Sequence, residues 1–364
     1  MKSVLPYFHP TCVALLSPSQ QNLAKVSQLL PDRPRGWSYR IYEDPQQALE
    51  EINAQDSCVD LLQRYGVAAD SAQGRHIELD LRRLHEEVYR PQRLQKVSVL
   101  LVDADTHLQP CDWFVQLRDP AVQRLCFGEL PQHSKVLQLL RQRHFDQFIY
   151  TNHNESKTQL QQSLQFACER YFDQSTAPLQ RLLQQCIPDT AMLDPFFADF
   201  FYEKLQDLKI AEYSLYMPQL AFVLFDIYAK QFGLFVKLPQ QLEADRQSPQ
   251  AARLPQKTQQ KMGMRDTMLC YAMHHDHPLP DSSEWPSLMR ETKTFWGQQA
   301  YYAAARRDVL TLDEDKDVVL FDPYKHPTLQ DQQQQLEQQE QIDSTSKNAQ
   351  TPKPAKADSL SETT

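Results

Sequence analysis

An uncharged apolar run that ends in an acidic residue constrains the fold of this chain more than any other feature. The run, 97–102, contains valine and leucine with one serine, and Asp103 follows it. Such a run predicts a strand that is buried on both faces, as in parallel sheets. Open α/β sheets bind ligands at the carboxyl edge of their strands, where Asp103 is expected. Asp105 and Asp112 add acidic residues nearby, and a solvated loop at the strand end is the alternative interpretation.

Short apolar segments alternate with amphipathic segments through the first half of the chain. Strands are predicted at 12–18, 37–44, 97–103, 122–129 and 146–151, and helices at 19–30, 44–53, 112–119, 134–145 and 155–172. This alternation predicts an α/β fold with a flavodoxin-like, doubly wound parallel sheet in a domain spanning 1–173. The polar segment 54–96, whose leucines form an apolar stripe, is predicted to be a helical insertion.

The regular alternation ends after residue 172, and two further regions are predicted. Helices at 175–187 and 194–210, three strands within 211–238, and a helix and strand within 284–309 predict an α+β domain over 174–327. From 328 to 364 the chain is rich in glutamine and polar residues, and this composition predicts a disordered tail, with a frayed helix as the alternative for the glutamine run.

Composition disfavours several classes of protein. The net charge is -9, and no basic stripe is interleaved with aromatic residues, which argues against nucleic-acid binding. No apolar run approaches the ~20 residues of a membrane span. The first ten residues lack the apolar core of a secretion signal. Seven scattered cysteines without a CxxC pair are typical of a reducing cytoplasm.

Motifs for common catalytic chemistry are absent from the sequence. The 7 glycines form neither GxGxxG nor a P-loop, and no HExxH or nucleophile elbow occurs. Adjacent histidines in 274–277 cannot all face one ion, so they predict weak surface binding of metals instead of a metal centre. The aromatic stripe within 196–201 is interpreted as core. We therefore expect no enzyme activity, no cofactor and no specific metal site.

Residues 8–172 resemble the receiver domain of bacterial response regulators. The resemblance rests on the apolar strand that ends at Asp103, on the helix 44–53 with its Ala-Leu pair, and on the strand 146–151, where Phe148 holds the switch-aromatic position. It implies that Asp103 is the phosphoacceptor candidate. The segments around 193–216 and 285–304 also resemble the C-terminal part of some response-regulator-like proteins, which implies a domain but no chemistry.

The resemblance implies a degenerate phosphorylation site, or pseudo-receiver. Receivers bind Mg²⁺ through the phosphoacceptor and an acidic pair after strand one, whereas Ser17 and Pro18 stand at that pair here. The strand-four hydroxyl falls on Gly128, or on Phe127 if the alignment is shifted by one, and the strand-five lysine falls on Thr151. Phosphorylation is therefore expected to be slow and weakly retained.

Three functions stay open at this point. The first is a cytoplasmic signalling protein of the two-component type that acts through a protein partner, such as a histidine kinase, without efficient phosphorylation. The second is a functional receiver in which Asp103, Asp105 and water hold Mg²⁺. The third is a small-molecule sensor or enzyme within 174–327. Neither the partner nor the oligomeric state follows from the sequence.

Overall fold

A computed structural model describes most of the chain. The described residues are 3–32, 34, 36–71, 74–104, 116–129, 133–153, 155–186, 191–217, 220–228, 230–271, 280–307, 321–322, 324–336 and 338. Asp105, Asp112, the histidines of 274–277 and most of the tail therefore lie outside the described residues. Within the described part, no helix is both long enough and apolar enough to cross a bilayer.

Strands and helices are numbered here in chain order. The strands are β1 (Tyr7–Phe8), β2 (Thr11–Leu16), β3 (Trp37–Tyr42), β4 (Gly66–Ser71), β5 (Gly74–Leu79), β6 (Val97–Asp103), β7 (Gln123–Gly128), β8 (Gln147–Tyr150), β9 (Ile210–Met217), β10 (Ala221–Asp226), β11 (Gln231–Lys237), β12 (Thr267–Leu269), β13 (Met289–Glu291), β14 (Lys293–Trp296) and β15 (Ala300–Arg307). The helices are α1 (Gln20–Leu29), α2 (Pro45–Asn53), α3 (Leu61–Tyr65), α4 (Leu81–Glu86), α5 (His133–Arg141), α6 (Ser156–Cys186), α7 (Pro195–Asp207), α8 (Pro239–Gln247), α9 (Gln256–Gly263) and α10 (Trp285–Leu288).

Five strands form a parallel sheet with the order β3-β2-β6-β7-β8. All residues of β2 and β6 are buried, as expected for strands covered on both faces. This is the flavodoxin-like order. The second strand of the sheet, β3, lies on one side of the first, β2, and the later strands lie on its other side. The predicted α/β fold class is thus confirmed, and the carboxyl ends of all five strands share one edge.

Local capping explains where the first two helices begin. The Ser19 side chain accepts a hydrogen bond from the Asn22 amide at the start of α1. Asp44 caps α2 through the amides of Gln46 and Gln47, and Pro45 occupies the first helical position. Both caps follow directly after a strand, so each helix begins at the carboxyl edge of the sheet.

The insertion at 54–96 contains a β-hairpin as well as helices. Leu61 on α3 and Leu84 on α4 are buried, which agrees with the predicted apolar stripe. Between these helices β4 and β5 pair as an antiparallel ribbon, which the helical prediction missed. The reason is that β4, with the sequence GVAADS, has few of the β-branched and aromatic residues that identify a strand.

Helix α6 crosses the domain boundary that the sequence predicts at 173. Two predicted helices, 155–172 and 175–187, are one helix of 31 residues with Pro178 inside it. Proline is favoured at helix starts, which is why the sequence suggests two helices. Near the proline, the Thr176 hydroxyl donates to the Phe172 carbonyl at 2.7 Å. The division into domains stays a prediction, with its boundary inside a continuous helix.

A second, antiparallel sheet has the order β1-β9-β10-β11-β15-β14. Its edge strand β1 comes from the N-terminus, where Tyr7 pairs with Ser214 and Phe8 with Tyr213. Tyr7 and Phe8 therefore belong to the sheet of the predicted α+β region. Helix α7 packs on this sheet, and Asp194, at its N-cap, accepts a hydrogen bond from Tyr301 Oη at 2.9 Å.

The beginning of the tail is ordered against β3, the edge strand of the parallel sheet. Residues 329–336, at the start of the glutamine-rich segment, are helical. Leu329 is buried in the cluster beneath α1 and α6. Gln332 donates to the Tyr39 carbonyl at 2.8 Å and accepts from the Ile41 amide at 3.2 Å. A single side-chain amide therefore makes the two hydrogen bonds that a neighbouring strand would make.

Candidate functional site

The carboxyl edge of the parallel sheet brings together most of the predicted site residues. Asp103 ends β6, Gly128 ends β7, and Ser17 directly follows β2. Thr151 follows β8, and its amide donates to the Gly128 carbonyl at 3.1 Å. The strand order thus places the phosphoacceptor candidate centrally, with the other predicted positions around it.

Asp103 is completely buried and accepts hydrogen bonds from neutral donors. Ser17 Oγ donates to Asp103 Oδ2 at 2.6 Å, and Asn22 Nδ2 donates to the same oxygen at 2.9 Å. Asn22 lies in the first turn of α1, which the Ser19 cap directs toward the sheet edge. Charge-assisted hydrogen bonds of this kind are the means by which a buried carboxylate is stabilised.

Ser17 is held in place from both sides. Its backbone amide donates to the Tyr42 carbonyl on β3 at 3.0 Å, and its side chain accepts from the Ser19 amide at 3.1 Å. The Ser17 side chain is fully buried, whereas Pro18 is exposed and has no polar side-chain atom. The end of the first parallel strand therefore presents a hydroxyl to Asp103 where receivers have acidic residues.

The remaining predicted positions are present without the receiver's functional groups. Gly128 has no side chain to contact a phosphoryl oxygen, and Thr151 has no charge. Phe148 on β8 is 7% exposed, and its ring meets the Tyr150 ring edge-on at a centroid distance of 5.0 Å. The Phe148 side chain, at the switch-aromatic position, is thus buried and in contact with Tyr150 of the same strand.

Three further residues at this edge escaped the sequence reasoning. Asn22 contacts Asp103 directly, and Lys25 Nζ forms an ion pair with Glu129 Oε1 at 2.6 Å. Glu129 directly follows β7. Its position after an apolar strand could have identified it as a residue of this edge. Asn22 and Lys25 lie on the first two turns of α1, and the position of the N-cap was the signal for Asn22.

Among the described residues, Asp103 is the carboxylate that a receiver-type Mg²⁺ site would use. Mg²⁺ binds one or two carboxylates together with water and phosphate oxygens in an octahedral arrangement. Here Asp103 is the carboxylate at the strand end, and its Oδ2 is occupied by two hydrogen-bond donors. No group of three or more His, Cys, Asp or Glu side chains suited to a metal occurs among the residues described. Asp105, the second ligand in the alternative hypothesis, lies outside them.

The aromatic stripe within 196–201 belongs mainly to the core. Phe197, Phe200 and Phe201 of the aromatic stripe are buried, and Phe200 stacks on Phe295 at 4.3 Å. Phe196, the first residue of the stripe, is exposed. The stripe therefore packs α7 on the antiparallel sheet, as the sequence indicated for most of its members.

The fold is that of a receiver-like parallel sheet joined to an antiparallel sheet, and a response regulator shares it. LqsR of Legionella pneumophila aligns with a TM-score of 0.63 at 17% sequence identity, covering 88% of this chain and 92% of that chain. At this level of identity the similarity establishes the fold alone, and it extends over both sheets.

Two other solved structures are more distantly similar. They are the signal receiver domain of an HD domain-containing protein from Pseudomonas fluorescens Pf-5 (TM-score 0.30, 11% identity, 46% of this chain and 92% of that chain) and an adenylate cyclase from Rhodopirellula baltica (TM-score 0.31, 11% identity, 48% and 97%). No family model matches the sequence, and no curated protein matches it.

Proposed function

We propose that this chain is a cytoplasmic signalling protein of the response-regulator type that acts through contacts with another protein, without efficient phosphorylation. The observation that carries the proposal is the hydrogen bonding of Asp103 by Ser17 and Asn22. The proposal includes no catalytic activity of its own and no resident cofactor. The partner is a histidine kinase or another signalling protein.

The chemistry of phosphoryl transfer supports this proposal. The transferring group carries negative charge, and catalysis depends on cations that neutralise it as the carboxylate attacks. Ser17 and Thr151 replace groups that would supply or bind such charge in a receiver. The loss of each charge-assisted contact raises the free energy of the transition state by about 1.5–3 kcal/mol. The loss of several contacts reduces the rate by orders of magnitude.

The packing of Phe148 supports action without a phosphorylation step. Its ring is already buried, and the Tyr150 ring lies against it. We infer that a partner recognises this face with Phe148 in its buried position and needs no phosphoryl group on Asp103. In this respect the proposal differs from a phosphorylation switch, which requires two populated conformations.

A thermal-shift experiment tests the proposal. We expect Mg²⁺ with beryllofluoride, a phosphoryl mimic, to leave the Tm of the full chain unchanged, because ligands raise Tm only when they bind the folded state. We also expect tagged wild-type chain and Asp103→Asn to capture the same partners from the native cell. A Tm increase that Asp103→Asn abolishes, together with a changed set of partners, would support the phosphoacceptor alternative instead.

A further inference from the structure

The outer edge of β3 is a strand edge that the parallel sheet itself leaves unpaired. The Tyr42 carbonyl faces β2, because it accepts a hydrogen bond from the Ser17 amide at 3.0 Å. The backbone N–H and C=O groups of successive residues in a strand point to opposite sides of the strand. Trp37, Tyr39 and Ile41 therefore direct these groups away from β2, toward the position that a further strand would occupy.

The side chain of Gln332 takes the place of one residue of such a strand. In a parallel pair, a residue donates to the carbonyl of one residue of its neighbour and accepts from the amide two positions further on. Gln332 Nε2 donates to the Tyr39 carbonyl at 2.8 Å, and Gln332 Oε1 accepts from the Ile41 amide at 3.2 Å. The carboxamide thus reproduces the hydrogen bonds of a parallel strand at a single position.

The tail helix, which is residues 329–336, uses only part of this edge. Within the described part of the chain, no hydrogen bond reaches the Tyr39 amide or the carbonyls of Trp37 and Ile41. An extended segment that paired along β3 would bond these groups as well as the two that Gln332 contacts. The edge therefore offers an extended chain more hydrogen bonds than it makes with the tail helix.

The two faces of the sheet at this edge differ in polarity. On the face toward α1, Leu329 is 3% exposed and belongs to the same apolar cluster as Leu23 and Tyr39. On the face toward α2, Arg40 forms an ion pair with Glu51 at 3.3 Å. Side chains alternate between the faces of a sheet along each strand. A strand that replaced the tail helix would therefore need apolar side chains toward α1 and polar side chains toward α2.

The tail helix is held in place by few contacts. Among residues 329–336, Leu329 is the buried one. Gln333 Nε2 donates to Ser27 Oγ on α1 at 2.9 Å, and the Thr328 hydroxyl caps the helix by accepting from the Asp331 amide at 3.1 Å. A helix shorter than ~12–15 residues is marginal in water by itself. Detachment of this segment therefore breaks few interactions.

We propose that the outer edge of β3 is a docking site for an extended segment of a partner protein, which displaces the tail helix and adds to the sheet as a further parallel strand. The segment alternates apolar and polar side chains, and one apolar side chain takes the position of Leu329. The tail helix thus competes with the partner from within the chain. Strand addition to an exposed sheet edge is an established mode of peptide recognition.

This inference rests on the proposed function, since it names a surface for the protein partner. Its test leaves Asp103 and the residues around it unchanged. A failure at the β3 edge therefore leaves the proposal about phosphorylation untouched, and efficient phosphorylation of Asp103 would leave the docking site at β3 untouched.

A charge placed at Leu329 frees the edge in the full-length chain. In Leu329→Asp, a carboxylate would have to be buried in an apolar cluster, so the tail helix should detach. Hydrogen exchange at the Ile41 amide should then increase, because this proton loses its contact with Gln332. Gln335→Asp adds the same charge at an exposed position of the tail helix, and its exchange at Ile41 should match the wild type.

The probe is a fluorescein-labelled peptide of alternating valine and threonine with lysine at both ends. By fluorescence anisotropy, it should bind Leu329→Asp at least about tenfold more tightly than it binds the wild type or Gln335→Asp. Bound peptide should also slow exchange at the Ile41 amide of Leu329→Asp. The same peptide with N-methyl groups on alternate backbone amides lacks the donors that pair with β3, so it should not bind.

Cooperative urea unfolding establishes that the variant is folded. Leu329→Ala combined with Gln332→Ala, which adds no charge, is measured in parallel and should behave as Leu329→Asp does. Unchanged exchange at Ile41 in both variants would overturn the proposal, as would peptide affinity equal to that of the wild type. Peptide binding that leaves exchange at Ile41 fast would also contradict it. Concentration-dependent dimerisation that protects Ile41 would identify a second copy of this chain as the occupant instead.

Discussion

Ser17 Oγ donates a 2.6 Å hydrogen bond to Asp103 Oδ2 across 86 positions of the sequence. The two residues lie at the ends of adjacent parallel strands, β2 and β6, so the register of the sheet fixes their separation. A hydroxyl at Ser17 donates to the Asp103 carboxyl group without adding negative charge to the pocket. A second carboxylate at the same place would repel Asp103 unless a cation lay between them.

Removal of the Ser17 hydroxyl should destabilise the fold measurably. In Ser17→Ala, the buried Asp103 carboxylate loses a charge-assisted hydrogen bond, and we expect the free energy of unfolding to fall by about 1.5–3 kcal/mol. Urea denaturation measures the change. A cycle with Asp103→Asn and the double variant isolates the interaction of the two side chains. A loss smaller than about 0.5 kcal/mol would show that the hydrogen bond contributes little.

Restoration of receiver-like charges should create sensitivity to Mg²⁺. In Ser17→Asp combined with Thr151→Lys, two carboxylates face each other, and Mg²⁺ relieves their repulsion. We therefore expect Mg²⁺ to raise the Tm of this variant but not that of the wild type. The matched control is Ser19→Asp with Thr151→Lys, which adds the same charges while keeping an acceptable N-cap on α1. An equal response from both variants would contradict this account of the site.

The buried His9 should make stability depend on pH. Burial, reinforced by the nearby Arg93, lowers the pKa of His9 from 6.5 to about 3. Between pH 6.5 and about 3, His9 binds a proton in the unfolded chain but not in the folded chain. The contribution of His9 to the free energy of unfolding therefore falls as the pH falls through this range. The slope is at most about 1.4 kcal/mol per pH unit. We expect His9→Gln to lose this contribution in urea titrations at pH 5 and 7.

The exposed His153 provides the control for this measurement. His153→Gln should retain the wild-type dependence on pH, because His9 is intact in that variant. The prediction about His9 is wrong if both substitutions change the slope equally.

The ordered start of the tail should protect the edge of the parallel sheet. The side chain of Gln332 accepts from the Ile41 amide and donates to the Tyr39 carbonyl of β3. We expect Gln332→Ala to increase hydrogen exchange at the Ile41 amide, because this proton then faces water. Gln334→Ala, at an exposed position of the same helical segment, is the control. Unchanged exchange at Ile41 in Gln332→Ala would show that the tail does not protect this edge.

Local patterns in the sequence predicted the parallel sheet but not the contacts between distant segments. The apolar run before Asp103 and the helical pattern of 44–53 are local signals, and both correspond to elements of the structure. The pairing of β1 with β9 joins segments about 200 residues apart, and no local periodicity reports such a pairing. Asn22 was missed for a related reason, since its contact with Asp103 depends on how α1 docks on the sheet.

Intact-mass spectrometry tests most directly the proposal that Asp103 is not an efficient phosphoacceptor. The full chain is incubated with Mg²⁺ and acetyl phosphate, beside Asp103→Asn and a receiver of known activity as a positive control. We expect little or no phosphoryl adduct on the wild-type chain while the positive control is labelled. Stoichiometric labelling of the wild type that disappears in Asp103→Asn would contradict the claim and establish this chain as a functional receiver.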